Sequence, residues 1–155
     1  MASLEGKKAP EFELEGSDGV RHALREYAGR IVVIYFYPRD NTPGCTKEAC
    51  GFRAVHQELL DMGVVLLGVS RDSLKSHDSF IRDFGLPFVL LSDPEATVMK
   101  EYGAFGEKVM YGKKTQGTIR STVVVGPDGT VLKHWQTVKK AGEHPAEVLA
   151  WLRER

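Results

Sequence analysis

The run IVVIYFYP, Ile31 to Pro38, is continuously β-branched and aromatic, the pattern of a strand buried on both faces. Apolar positions then switch to helical spacing. Ala49, Phe52, Val55, Leu59 and Leu60 recur along a stretch that begins at Thr46 and stops at Gly63. VVLLGVS, Val64 to Ser70, predicts the next strand, residues from about Ser73 to Phe84 a helix, PFVLLSD, Pro87 to Asp93, a third strand, and TVMKEYG a further helix. Upstream, FEL reads as a short strand, Ser17 to Gly19 as a turn, and HALREYAG as a brief helix closed by Gly29. Between Arg120 and Val138, two β-rich runs flank a GPDG turn, a hairpin signal, and PAEVLAWLRER predicts a terminal amphipathic helix.

Strands and helices that alternate and end in a hairpin and a helix predict a three-layer α/β sandwich, a mixed central sheet with helices on both faces. No repeat or linker interrupts the pattern, so residues 1–155 are expected to form one domain. Sites in open α/β sheets gather beyond the carboxyl ends of strands, which directs attention to the loop after Pro38.

Charge narrows the partners. Twenty-one basic residues balance twenty-one acidic ones, so no global field draws the chain to nucleic acid or to an anionic membrane. The amino terminus lacks the apolar core of a secretory signal, and no run approaches the roughly 18 apolar residues of a membrane span. The expectation is a soluble, cytoplasmic protein with no nucleic-acid or membrane partner.

The loop after Pro38 holds both cysteines of the chain, in PRDNTPGCTKEAC. In a reducing compartment a standing disulfide is disfavoured, which leaves transient redox chemistry or thiols that merely fill space. Cys45 follows TPG and falls in the first turn of the predicted helix, where unpaired amides and the macrodipole favour an anion such as a thiolate. Five helical residues separate Cα atoms by about 8.7 Å, beyond the roughly 7 Å that disulfides tolerate. If Cys45 and Cys50 were to bond, the first turns of the helix would have to unwind, and Gly44 and Gly51 would ease that. The four-residue gap is not the CxxC of a thioredoxin-type oxidoreductase, and His22, His56, His77, His134 and His144 supply no second ligand pair for zinc. Arg39 and Asp40 read as a solvated loop pair, Asp72 and Asp93 as helix caps, and Trp135 and Trp151 as packing residues.

YFYPRDNTPGCTKEACGF resembles the peroxiredoxins, in particular the bacterioferritin comigratory protein or peroxiredoxin Q branch, through the PxxxTxxC pattern of Pro38, Thr42 and Cys45. The likeness extends through GKKAPEFEL, GVSRDS, LSDPE, RST at Arg120 and LKHWQTVK. It implies a thioredoxin-like fold and an atypical two-cysteine peroxidase for hydrogen peroxide and alkyl hydroperoxides, needing no metal, haem or flavin. Cys45 would be the peroxidatic cysteine and Cys50 the resolving one. Thr42 and Arg120 would stabilise the reacting oxygens, Pro38 would shield the sulfur, and Glu48 would orient the arginine. The resemblance also implies a thioredoxin-like or glutaredoxin-like reductant and a monomer. Two rival readings of the same thiols are a general thiol-disulfide oxidoreductase and a peroxide-responsive redox sensor.

Overall fold

The computed structural model describes residues 2–155. The predicted buried strand is β3, Val32–Phe36. Its side chains alternate between two cores: Val32, Ile34 and Phe36 enter one, Val33 and Tyr35 the other, so both faces of the strand are apolar because both are covered. With β1 (Glu13–Gly16), β2 (Arg21–Ala23), β4 (Val65–Ser70), β5 (Val89–Ser92), β8 (Ser121–Val125) and β9 (Val131–Trp135) it forms a seven-stranded sheet of order β2-β1-β5-β4-β3-β8-β9. The pairs β3/β4 and β4/β5 are parallel, whereas β1/β5, β1/β2, β3/β8 and β8/β9 are antiparallel. The mixed sheet and the GPDG hairpin are as the sequence predicts.

Two crossovers, through α1 (Pro43–Asp61) and α2 (Leu74–Phe84), link the parallel strands. Because β3, β4 and β5 advance in one direction across the sheet, crossovers of one hand place both helices on the same face. Phe52 and Leu59 of α1, Phe80 of α2, and Val148, Leu149 and Leu152 of the terminal helix α4 (His144–Arg153) share one core. The other face is covered by α3 (Thr97–Glu101), through Val98 and Met99, and by amino-terminal residues including Leu4, Phe12 and Leu24. Helices therefore lie on both faces, though the crossovers supply only one of them. Among the described residues no helix is long and apolar enough to cross a membrane.

Three segments differ from the sequence pattern. HALREYAG is not a helix: Arg21–Ala23 pairs with β1 as β2, and only Leu24–Tyr27 coils, as one 3-10 turn. The helix expected from Thr46 begins three residues earlier, with Pro43 at its first position, where a missing N–H costs nothing. Between α3 and β8 an unpredicted antiparallel ribbon, β6 (Phe105–Met110) and β7 (Lys113–Thr118), stands apart from the main sheet. Gly63 and Gly85, both in the left-handed region, end α1 and α2.

Candidate active site

Strand β3 delivers the chain into residues 37–42, and α1 starts directly above the carboxyl edge of the sheet. Thr42 occupies the cap position of α1, yet its side chain does not cap the helix and no acidic residue lies in the first turn. The first intrahelical bond runs from the Thr46 N–H to the Thr42 carbonyl at 2.8 Å. The amides of Gly44 and Cys45 precede that bond, at the positive end of the macrodipole. Cys45, third residue of the helix, is the side chain placed to meet that charge, and it is 1% exposed. Cys50 is half-buried in the second turn, and both thiols are free.

A guanidinium completes the electrostatics. Arg120, on the residue preceding β8, donates from Nη2 to Cys45 Sγ at 3.3 Å and from Nη1 to Glu48 Oε1 at 2.6 Å. Gly44 makes room for it, because a Cβ there would lie 3.2 Å from Nη2. The antiparallel pairing of Ser121 with Phe36 is what brings Arg120 to the same sheet edge as residues 37–42. The helix start and the guanidinium therefore bring positive charge to the sulfur from two directions.

Glu48 is fully buried, and its Oε2 atom, like the neighbouring Tyr35 hydroxyl, has no hydrogen-bond partner among the described residues. Burial pushes the Glu48 carboxyl up to about 7, although the Arg120 guanidinium pulls the other way. One ion pair through one oxygen does not offset loss of water around both. The arginine is raised further above its usual range by Glu48 and Cys45, against its own burial.

Thr42 Oγ1 donates to the Arg39 carbonyl at 2.9 Å. With its proton so committed, the hydroxyl keeps lone pairs free to accept a hydrogen bond rather than to donate one. Pro38 is half-buried at the end of β3, where the chain leaves the sheet. The site thus brings together Cys45, Arg120 and Glu48 in direct contact, with Thr42 at the cap of the same helix and Cys50 one turn further along.

A match to the AhpC/TSA family spans residues 5–134. The chain belongs to the AhpC/TSA family, within the Bcp branch of the peroxiredoxins. It is 47% identical to a putative peroxiredoxin Bcp of Coxiella burnetii over 147 residues, covering 95% of this chain and 97% of that one. Against peroxiredoxin Bcp of Bacillus subtilis the identity is 40% over 149 residues, covering 96% and 94%. Among solved structures, the bacterioferritin comigratory protein of Xanthomonas campestris, studied for its alkyl peroxide reduction, superposes with a TM-score of 0.86 at 43% identity, covering 92% of this chain and 90% of that one. A cysteine-to-serine mutant of Xylella fastidiosa PrxQ superposes with a TM-score of 0.91 at 35% identity, covering 99% and 98%. The fold is accordingly thioredoxin-like, as the resemblance implied.

Two expectations near the site are corrected. Asp40 is no solvated loop residue: it is 7% exposed and fully hydrogen-bonded below the helix start. Asp72 does not cap α2, since Ser73 does so by accepting from the Ser76 N–H at 3.2 Å. Asp93 does serve a helix start, accepting from the Met99 N–H at 2.9 Å. Neither Asp40 nor its partner His77 carried a local signal, because they lie 37 residues apart in the chain.

Proposed function

We propose that this chain is a thiol peroxidase that reduces hydrogen peroxide and alkyl hydroperoxides through Cys45, with Cys50 as the resolving thiol. The observation that carries the reading is the sulfur of a buried cysteine in the first turn of α1 with a guanidinium donor at 3.3 Å. In the reaction, the Cys45 thiolate attacks the terminal peroxide oxygen and the O–O bond breaks. The sulfur is oxidised to a sulfenic acid, and the departing alkoxide or hydroxide takes up a proton to leave as alcohol or water. Arg120 and the first-turn amides face the oxygens on which charge develops, and Thr42 accepts from the peroxide O–H. Pro38 walls the sulfur from bulk water.

The Cys50 thiol then displaces water from the sulfenic acid to close a disulfide, and a dithiol donor of thioredoxin or glutaredoxin type reduces it by exchange. Both sulfurs reside in one helix of one chain, so the cycle runs in a monomer, and the reducing conditions it needs are those of the cytoplasm. Supporting this reading over a general oxidoreductase or a sensor is the single buried nucleophile paired with an arginine, together with the peroxide-reducing relative at 43% identity.

The test is peroxide-dependent oxidation of thioredoxin. Cys45→Ser is expected to abolish peroxide consumption, and Cys50→Ser to retain one oxidation per chain while losing turnover. Undiminished turnover in both variants would overturn the assignment. Rapid insulin reduction with little peroxide consumption would favour the oxidoreductase, and slow oxidation without turnover the sensor.

A further inference from the structure

Below the site, a polar network holds the residues that lead into α1. The Asp40 carboxylate accepts from the Tyr37 hydroxyl at 2.6 Å and from Ser76 Oγ at 2.9 Å, and its Oδ2 lies 2.7 Å from His77 Nδ1. His77 is fully buried, and its Nε2 lies 2.9 Å from the Leu91 carbonyl oxygen, which can only accept. Nε2 therefore carries a proton, and the hydrogen bond at Nδ1 needs a second one shared with Asp40. The Asp40 backbone N–H donates to Asp72 Oδ2 at 2.8 Å, the same oxygen that accepts from Ser70 Oγ at 2.7 Å. Tyr37 stays a donor, because burial and the carboxylate push its hydroxyl far up.

Asp40 is thus tied by side chain and backbone to α2, to the ends of β4 and β5, and to the residue that closes β3. Immediately after it, Asn41 turns through the left-handed region, with φ of 61°, and Thr42 follows at the cap of α1. Thr42 in turn donates to the carbonyl of Arg39, just before Asp40. The orientation of Thr42 and the start of α1 is set two residues away from this anchor, although neither Asp40 nor His77 touches the sulfur.

We propose that His77 is a positioning residue for peroxide reduction: through Asp40 it fixes the loop that carries Pro38 and Thr42 during attack, and it must release that loop when Cys45 and Cys50 close. This rests on the peroxidase reading above. A disulfide across five helical positions requires the first turn to open, and the anchor opposes opening because Asp40 and His77 would part in a buried setting. The anchor therefore acts in opposite directions on the two steps. It accelerates oxidation of Cys45 by holding the constellation in register, and it slows closure of the disulfide.

His77→Gln and Asp40→Asn test this by single-turnover kinetics, with Val131→Ala in β9 as a destabilised control remote from the loop. Both anchor variants are expected to slow peroxide oxidation of Cys45 by about tenfold to a hundredfold and to speed disulfide closure, while Val131→Ala alters neither rate. Unchanged rates in a folded His77→Gln, or equal slowing of both steps, would overturn the proposal. Should either variant fail to fold, the unmodified protein still decides: the His77 Nδ1–H proton resonance is expected in the reduced form and lost in the disulfide form. Its persistence in both forms would overturn the release. A parent protein that consumes no peroxide would sink the peroxidase reading itself, whereas normal turnover in parent and anchor variants alike would sink only the role of His77.

Discussion

The two ends of α1 are built differently. Its first two turns hold Gly44, Cys45, Glu48 and Cys50, with no side-chain cap, and they are secured by ionic and polar contacts to Arg120. From Phe52 onward the same helix presents Phe52 and Leu59, neither of them exposed, to the sheet, and the Phe52 ring stacks on Tyr35 at 4.5 Å. At its far end Glu58 pairs with Arg153 of α4. Polar contacts depend on orientation and protonation, while apolar burial is non-directional and blind to protonation. The helix can therefore change state at its start without giving up the core at its other end.

That contrast is broken most severely at Phe52. Phe52→Ala leaves a cavity among Tyr35, Phe88 and His144 and is expected to cost roughly 3 to 5 kcal/mol, read as a lowered urea midpoint. The rate of Cys45 oxidation in the folded fraction should stay near that of the parent, and a matching loss of rate would show that the two ends are not separable.

A smaller effect, and one specific to the helix start, attaches to Glu48. Because burial raises its carboxyl to about 7, this carboxyl binds more protons in the folded chain than in the unfolded one between the usual carboxylate range and pH 7. Stability contributed by this group is therefore present at low pH, falls as pH rises through that window, and is level above it. The full span corresponds to roughly 3 kcal/mol. Glu48→Gln should remove this falling contribution, leaving the rising one of the buried histidines His56, His134 and His144, whose burial lowers them, so that unfolding free energy gains a more positive slope between pH 5 and 7. Retention of the parental slope would contradict the assignment.

The smallest expected change lies at the boundary between the two ends. A Cβ at Gly51 would fall 2.8 Å from Pro145 Cγ, so Gly51→Ala must displace the first turn of α4 and is expected to cost about 1 to 3 kcal/mol. Thermal unfolding measures it. A neutral result would mean that α4 yields freely at this contact.

Much of this arrangement was legible in the sequence. The β-branched and aromatic run at Ile31–Pro38 carries the pattern of a strand covered on both faces, and TPG before a helical pattern places Cys45 at a helix start. Arg120 was different: a basic residue at the start of a strand has no local signature, and only the family resemblance singled it out. Asp40 has no local signature either, because a loop aspartate looks solvated until a histidine 37 residues away is folded against it. The ribbon β6/β7 is illegible in the sequence for a different reason. Strand β7 is mostly exposed, β6 interleaves Glu107 and Lys108 with its apolar residues so that no apolar face signals it, and the turn uses Tyr111 and Gly112 at φ of 52° and 78° instead of the usual Asn-Gly.

The contact between Gly51 and Pro145 has one more consequence. Pro145 adjoins His144, whose ring meets Trp135 edge-on at 5.2 Å, and Trp135 in turn meets Trp151 at 6.0 Å. A displacement of Gly51, beside Cys50, is therefore expected to reach both indoles of the chain through one proline. The protein carries its own optical reporter: tryptophan emission should follow each opening and closing of the helix start in real time, with no label attached.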